Sequence, residues 1–287
     1  MFKHILCPID FSKIGERAIE HAVTWAAHDG AALELLHVLS PPMYAGPELA
    51  TMSLDLDAAV LRELDERMAQ QVKTVRARVP GATGRVVRGF PPSEITARAK
   101  ASHADLIVLG TNGAGALARA LLGSVADRVL RTSPVPVLLV PHEGRAVSVI
   151  PKHLLAPTDF SSSAKAAVAR ALSLASELSA TLDVVHAYEV PGFVQRDRVL
   201  AENLRTAMAA EVRAEHAELT NQARVRVRAL EGPTATTIVR LVEDASADLI
   251  VMSSTGRGFV SSMLLGGVTD RVVRTAHVPV LVTRPNV

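Results

Sequence analysis

"HILCPIDFS", residues 4–12, returns as "HLLAPTDFS" at residues 153–161, and this recurrence decides how the chain divides. Each copy opens on a short continuous apolar run, the pattern of a parallel strand buried on both faces. Each then passes through Asp-Phe-Ser into a stretch of helical period. Ile19, Ala22, Val23 and Ala26 recur at spacings of 3, 4 and 7, as do Val168, Ala171, Leu172 and Ala175. Working outward, "LELLHV" (33–38) matches "LDVVHA" (182–187) at the same offset of 149. Beyond it "ADLIV" (104–108 and 247–251), "DRVLRT" with "DRVVRT" (127–132 and 270–275) and "VPVL" (135–138 and 278–281) match at an offset of 143. The first copy therefore carries about six extra residues after "LLHV". A repeat of this length is a whole domain and not a solenoid unit. The expected domains are 1–143 and 150–287, with "PHEGRAVSVIPK" (141–152) as the linker.

The rest of the first copy alternates in the same way. "ALELLHV" reads as a strand, and roughly 54–79 as a long polar-faced helix bounded by "PG". "GRVVRG" reads as a strand, 92–103 as a helix opened by "PPSE", and "DLIVLG" as a strand. A helix over 124–133 and a last strand, "VPVLLV", complete it. Strands that alternate with helices imply a parallel sheet covered on both faces. The fold class expected is α/β, as two tandem five-stranded parallel-sheet domains.

Composition narrows the partners. Aromatic residues are only 3% of the 287, so the core must be built from Val, Leu, Ile and Ala. Thirty-one Lys and Arg against twenty-nine Asp and Glu leave a net charge of +2, which gives no electrostatic case for nucleic acid or an anionic membrane. One cysteine, Cys7, excludes an intramolecular disulfide and a Cys-based zinc site; its place in "HILCPID" suits a buried small side chain. The opening apolar run is too short for a signal peptide, and no stretch approaches the ~20 residues needed to span a bilayer. A soluble, cytoplasmic protein is expected. The histidines are scattered without metal-ligand spacing, and no catalytic triad or general base stands out.

The stretch that invites chemistry is "GTNGAGALARALLGS", residues 110–124. In an open parallel sheet, ligands bind beyond the carboxyl ends of the strands where strand order reverses. With the first strand central, Asp10 and Gly110 would flank that reversal. Gly110 and Gly113 would supply a turn that lets backbone N–H groups approach a phosphate. Gly123 and Ser124 would present N–H groups and a hydroxyl at a helix start, where the dipole favours an anion. The stretch is neither a GxxxxGK[ST] loop nor a GxGxxG fingerprint. Plainer readings stand beside this one. Gly110 and Gly113 could simply turn a strand into a helix, Ser124 with Asp127 fits a capping pattern, and Asp10 could merely open the first helix.

These residues resemble the universal stress protein family in its tandem-domain form, over nearly the whole chain. Its nucleotide-binding members carry G-x2-G-x9-G-[S/T], complete here as Gly110, Gly113, Gly123 and Ser124. The resemblance implies Rossmann-like domains of the adenine nucleotide alpha hydrolase type. It places Asp10 near the adenosine, close to Pro8, and the backbone of Val38 at the adenine edge, with the glycines and Ser124 on ribose and phosphates. ATP, ADP or AMP is the implied cofactor, with Mg as a companion ion, although no clear magnesium carboxylate accompanies the glycines. The second copy keeps Asp159, Gly256 and Gly266, but "SSTGRGFVSSMLLGG" (253–267) has Ser253 for the first glycine and Gly267 for the terminal Ser. Its site is therefore expected to be weak or empty. The resemblance also implies pairing of the two domains through "VPVLLV" and "VPVLV", and a homodimer of tandem chains. Three functions follow: a stress-response protein using ATP as sensor or conformational cofactor, a slow ATPase or nucleotidyl-transfer enzyme relying on Asp10 or Arg119, or a nucleotide-free interaction scaffold.

Overall fold

The computed structural model describes residues 1–40, 50–111, 122–142, 150–220, 222–256 and 265–284. The chain divides into two compact units. The first repeat runs β1 (His4–Pro8), α1 (Lys13–Asp29), β2 (Ala32–Leu39), α2 (Ala50–Arg76), β3 (Thr83–Arg88), α3 (Pro91–Ala101), β4 (Leu106–Gly110), α4 (Ser124–Thr132) and β5 (Val137–Val140). The strands are parallel in the order β3-β2-β1-β4-β5. The second repeat runs β6 (His153–Pro157), α5 (Ser162–Leu178), β7 (Thr181–Tyr188), α6 (Gly192–Gln195), α7 (Arg198–Glu215), α8 (Ala217–Thr220), β8 (Val225–Glu231), α9 (Thr234–Ala245), β9 (Leu249–Ser253), α10 (Gly267–Thr275) and β10 (Val280–Thr283). Its parallel order is β8-β7-β6-β9-β10. Both repeats are α/β folds whose strand order reverses beside the first strand, between β1 and β4 and between β6 and β9.

The central strands explain the continuous apolar runs. Ile5, Leu6 and Cys7 have no exposed surface, nor have Leu154, Leu155 and Ala156, because helices cover both faces. Burial pushes the Cys7 thiol above its ordinary value, which suits an inert core side chain. The first helix of each repeat starts on a serine cap. Ser12 Oγ accepts from Gly15 N at 3.1 Å, and Ser161 Oγ from Ala164 N at 3.2 Å. The caps at the other ends differ. α1 stops at Gly30 with φ 66°, whereas α5 stops at Ser179 with φ 54°, a left-handed conformation that costs a side-chain-bearing residue about 1 kcal/mol.

Helix bounds shift from those expected. α2 begins at Ala50, four residues earlier than 54, and ends at Arg76 rather than 79. Its last turn tightens, since Ala77 N and Arg78 N reach back three residues to Thr74 O and Val75 O. In the second repeat the single long helix is replaced by α6, α7 and α8. No helix among the described residues is long and apolar enough to cross a membrane.

A buried carboxylate sits at the same place in both second strands. Glu34 (3% exposed) meets Arg98 Nε at 2.8 Å and Arg85 Nε at 3.5 Å. Asp183 (0% exposed) meets Arg226 Nε at 2.7 Å and His153 Nε2 at 3.2 Å. His153 Nδ1 also donates to Ala245 O, so both ring nitrogens face acceptors. The hydrogen bond to Asp183 leads the causes that raise the His153 pKa, and it outweighs burial.

Candidate functional site

The crevice of the first repeat is made where β1 leaves the sheet. The β1–β2 ladder ends at Pro8 opposite Leu36, whereas β2 continues against β3 through Val38 opposite Val87 and Leu39 opposite Arg88. Ile9 N still donates to Leu36 O at 2.8 Å, and His37 Nδ1 then donates to Ile9 O at 2.9 Å. Peptide groups alternate in direction along a strand, so Val38 aims its N–H and C=O to the same side as Leu36. That side lies past the end of the ladder with β1. A backbone donor and acceptor are therefore presented at the rim, the arrangement expected of an adenine edge.

Phe11 makes the turn out of β1. It holds a left-handed φ of 56°, its ring lies 4.8 Å from that of His37, and the Arg67 guanidinium stands 4.5 Å above it. The turn is tied by Asp10, whose Oδ1 accepts from Ser12 N at 3.0 Å and from Ser12 Oγ. Asp10 thus opens α1, as the plainer reading had it, while standing beside the reversal.

The other wall is the neck of the glycine stretch. Gly110 is the last residue of β4, paired with Val140, and Thr111 N donates to Val140 O at 2.9 Å. Gly123 N returns to Thr111 O at 2.7 Å, closing the stretch on itself. Gly110, Gly123 and Ser124 are brought together by that bond; Gly113 and Arg119 lie outside the described residues. The capping alternative for Ser124 is corrected. Gly123 is the N-cap of α4, Ser124 is its first helical residue, and Asp127 chelates Arg131 with both distances at 2.9 Å. The Ser124 hydroxyl accordingly stands in the first turn, where helix N–H groups lack intrahelical partners.

The second repeat builds the same frame. Thr158 N donates to Val185 O at 2.8 Å, and His186 Nδ1 to Thr158 O at 2.8 Å. Phe160 has φ 63° and stacks on His186 at 4.5 Å. Asp159 Oδ1 accepts from Ser161 N at 3.0 Å and Ser161 Oγ at 2.6 Å. Gly266 N closes the neck onto Ser254 O at 2.8 Å. A Cβ at Gly256 would lie 2.5 Å from Asp159 Oδ2, so a larger residue there would displace that carboxylate. Asp159, Gly256 and Gly266 therefore do converge, around a cavity of about 170 Å³ whose wall includes Ile238, Met252 and Val268.

One difference was not foreseen from sequence. Ser253 Oγ donates to Thr255 O at 2.6 Å, Thr269 Oγ1 to Ser253 O at 2.9 Å, and Ser163 Oγ to Thr255 O at 2.9 Å. The matching residues of the first repeat are Gly110, Ala126 and Ile14, which have no hydroxyl. Laying the two copies residue by residue would have exposed all three exchanges. A single copy shows nothing, since 163, 253 and 269 are far apart in the chain.

Fold and site together define a tandem α/β protein with a candidate ligand crevice at each reversal of strand order. The profile described as the universal stress protein family matches residues 1–141 and again 151–284. A universal stress protein of Mycolicibacterium smegmatis is 30% identical over 291 residues, covering 98% of this chain and 97% of that one. Universal stress protein Rv2623 of Mycobacterium tuberculosis is 31% identical over 293 residues, covering 93% of each. The crystal structure of a universal stress protein from Archaeoglobus fulgidus superposes with a TM-score of 0.69 at 24% identity, covering 98% of this chain and 96% of that one. The chain belongs to the universal stress protein family.

Proposed function

We propose that the first repeat binds an adenine nucleotide, ATP or its ADP or AMP relatives, and that this cytoplasmic stress-response protein uses it as a sensor or conformational cofactor. The observation that carries the reading is the complete Gly110, Gly113, Gly123, Ser124 pattern, with its described ends drawn together at the start of α4. The residues present fit such a ligand. The first-turn amides of α4 and the Ser124 hydroxyl would take phosphate oxygens. The outward peptide groups of Val38 would meet the adenine edge, and Asp10 beside Pro8 would face the adenosine. Binding would link β1, β4 and α4 through one ligand, which is how a nucleotide becomes a conformational signal.

Hydrolysis is slow in this reading, because no side chain stands out as a base for an attacking water. Mg would arrive with the phosphates; among the described residues no group of three His, Cys, Asp or Glu is placed to hold a metal. Assembly of tandem chains into a homodimer belongs to the same proposal. The test is to denature the purified chain and quantify released adenine nucleotide by chromatography, before and after loading with ATP. One nucleotide per chain is expected, lost in a Gly113→Val, Ser124→Ala variant that keeps its far-ultraviolet circular dichroism. No nucleotide before or after loading would end this reading in favour of a scaffold.

A further inference from the structure

The phenylalanine turn that leaves the first strand meets a different partner in each repeat. In the first, the Arg67 guanidinium stands 4.5 Å above Phe11. In the second, the ring of His216 lies 6.3 Å from that of Phe160. His216 follows Arg67 by the same offset of 149 that separates the two phenylalanines. A permanent cation is thus replaced by a side chain whose charge depends on pH. We propose that His216 is an acid-operated release in the second repeat: on gaining a proton its ring leaves its seat, and the corner between α7 and α8 loosens together with the Phe160 turn. The release requires no ligand in either crevice.

His216 is itself the joint between the two helices. α7 ends at Glu215, His216 N donates to Val212 O at 3.2 Å, and Leu219 N donates to His216 O at 2.9 Å as α8 begins. The residue is 7% exposed, and its Nε2 is buried without a hydrogen-bond partner among the described residues. A neutral imidazole can leave that nitrogen without a hydrogen, whereas the imidazolium carries one on each nitrogen. Its Nε2–H would then be a buried, charged donor facing no acceptor, far costlier than the neutral ring.

The charged neighbours do not rescue it. Glu215 would attract the imidazolium, but it already pairs with Lys165 of α5, whose charge repels it. Burial leads the causes that hold the His216 pKa below its ordinary 6.5; Glu215 opposes burial and Lys165 adds to it. The other titratable ring on Phe160 is His186 of β7 at 4.5 Å, with its Nδ1 bonded to Thr158 O. His37 takes the same place on Phe11, so a difference between the repeats does not come from that pair. A ring released into water binds protons more readily than the seated one. The closed corner is therefore fully stable above about 6.5 and weakens as pH falls toward the lowered pKa.

The corner is coupled to the crevice through Phe160. That residue holds a left-handed φ of 63°, which persists only where the surroundings impose it, and His216 is one of the rings beside it. Withdrawing His216 frees the turn that carries Asp159 and Ser161. At the first turn Arg67 stays charged and no such release exists.

The test is hydrogen–deuterium exchange of the full chain at about pH 7.5 and about pH 5.5, corrected for the intrinsic pH dependence of amide exchange. Each segment is referred to the first strand of its own repeat. Opening of residues 212–219 should rise up to about tenfold at the lower pH, the limit for a ring released to an ordinary pKa of 6.5. Residues 158–164 should follow, and residues 9–15 should not. His216→Phe should stay closed at both pH values; His216→Leu serves where the larger ring does not fit, each used only with wild-type circular dichroism. No rise in the wild type, or a rise that persists in the apolar variant, would overturn the release. A rise confined to 212–219 would overturn its link to the crevice.

Discussion

In the first repeat Gly110, Ala126 and Ile14 carry no hydroxyl; in the second, the matching Ser253, Thr269 and Ser163 bind the backbone to itself. Among the described residues the frame of the crevice is nevertheless shared. Both repeats have the left-handed Phe, the histidine on its ring, the Asp-to-Ser tie and the closing bond of the neck. Scaffold and recognition are therefore separable. The frame is held by residues that serve the turn, whereas the two repeats differ at a few positions that the turn does not need.

The repeats differ again in their buried ionisable groups, and the largest effect should be seen there. His21, on α1, is pushed down to about 4 by burial, with Arg17 adding to the shift; the matching position of the second repeat is Arg170. A histidine with a depressed folded pKa takes its proton on unfolding. The first repeat should thus lose stability as pH falls from 6.5 toward about 4, on the order of 3 kcal/mol for this group. His153 acts in the opposite sense. Its raised pKa adds stability below its ordinary value of 6.5, which is lost as pH rises through the raised one. Trp25, the single tryptophan, is buried in the first repeat and reports it alone. Denaturation followed by Trp25 fluorescence should weaken on acidification more steeply than circular dichroism of the whole chain, and His21→Gln should remove most of the excess. Coincident transitions at every pH would break the comparison.

A smaller contrast concerns the buried carboxylates. Removing one partner of a buried pair costs about 3–5 kcal/mol, but the Arg226 side chain is 61% exposed and its charge is screened. Arg226→Met should cost roughly 2 kcal/mol by urea denaturation. Arg98→Met should cost less, about 1 kcal/mol, because Arg85 remains beside Glu34 at 3.5 Å. Equal losses would show that Arg85 supports Glu34 no better than His153, at 3.2 Å, supports Asp183.

The smallest effect on stability sharpens the difference in binding. A Cβ at Gly267 meets no described atom within 4 Å, so Gly267→Ser should be tolerated and should stabilise α10 by roughly 0.5 kcal/mol or less. Combined with Ser253→Gly, it restores the full pattern of the first repeat. ATP bound per chain should rise from one toward two. An unchanged count would mean that the hydroxyl and the bare neck do not govern phosphate binding.

The repeat and the class of fold were legible because each rests on local signals: apolar runs, helical periods and recurring segments at fixed offsets. Strand order followed from treating the first strand as central, and the reversal between β1 and β4 agrees. The helix position of Ser124 was left open by the sequence, since Ser-x-x-Asp also reads as a cap until Gly123 is found to occupy that position and Asp127 to hold Arg131. The hydroxyl set of the second repeat and the Glu34 and Asp183 clusters depend on contacts between residues tens of positions apart. Periodicity carries no information about such contacts.

The bonds from Gly123 to Thr111 and from Gly266 to Ser254 place the two ends of each glycine stretch in contact. The entropy of closing a loop grows only slowly with its length, so a stretch whose ends are fixed in this way tolerates a change in the number of residues between them. The segment is in that sense an interchangeable cassette. It can be lengthened, shortened or exchanged between repeats while the strands on either side keep their register, so duplication left one scaffold free to acquire two vocabularies.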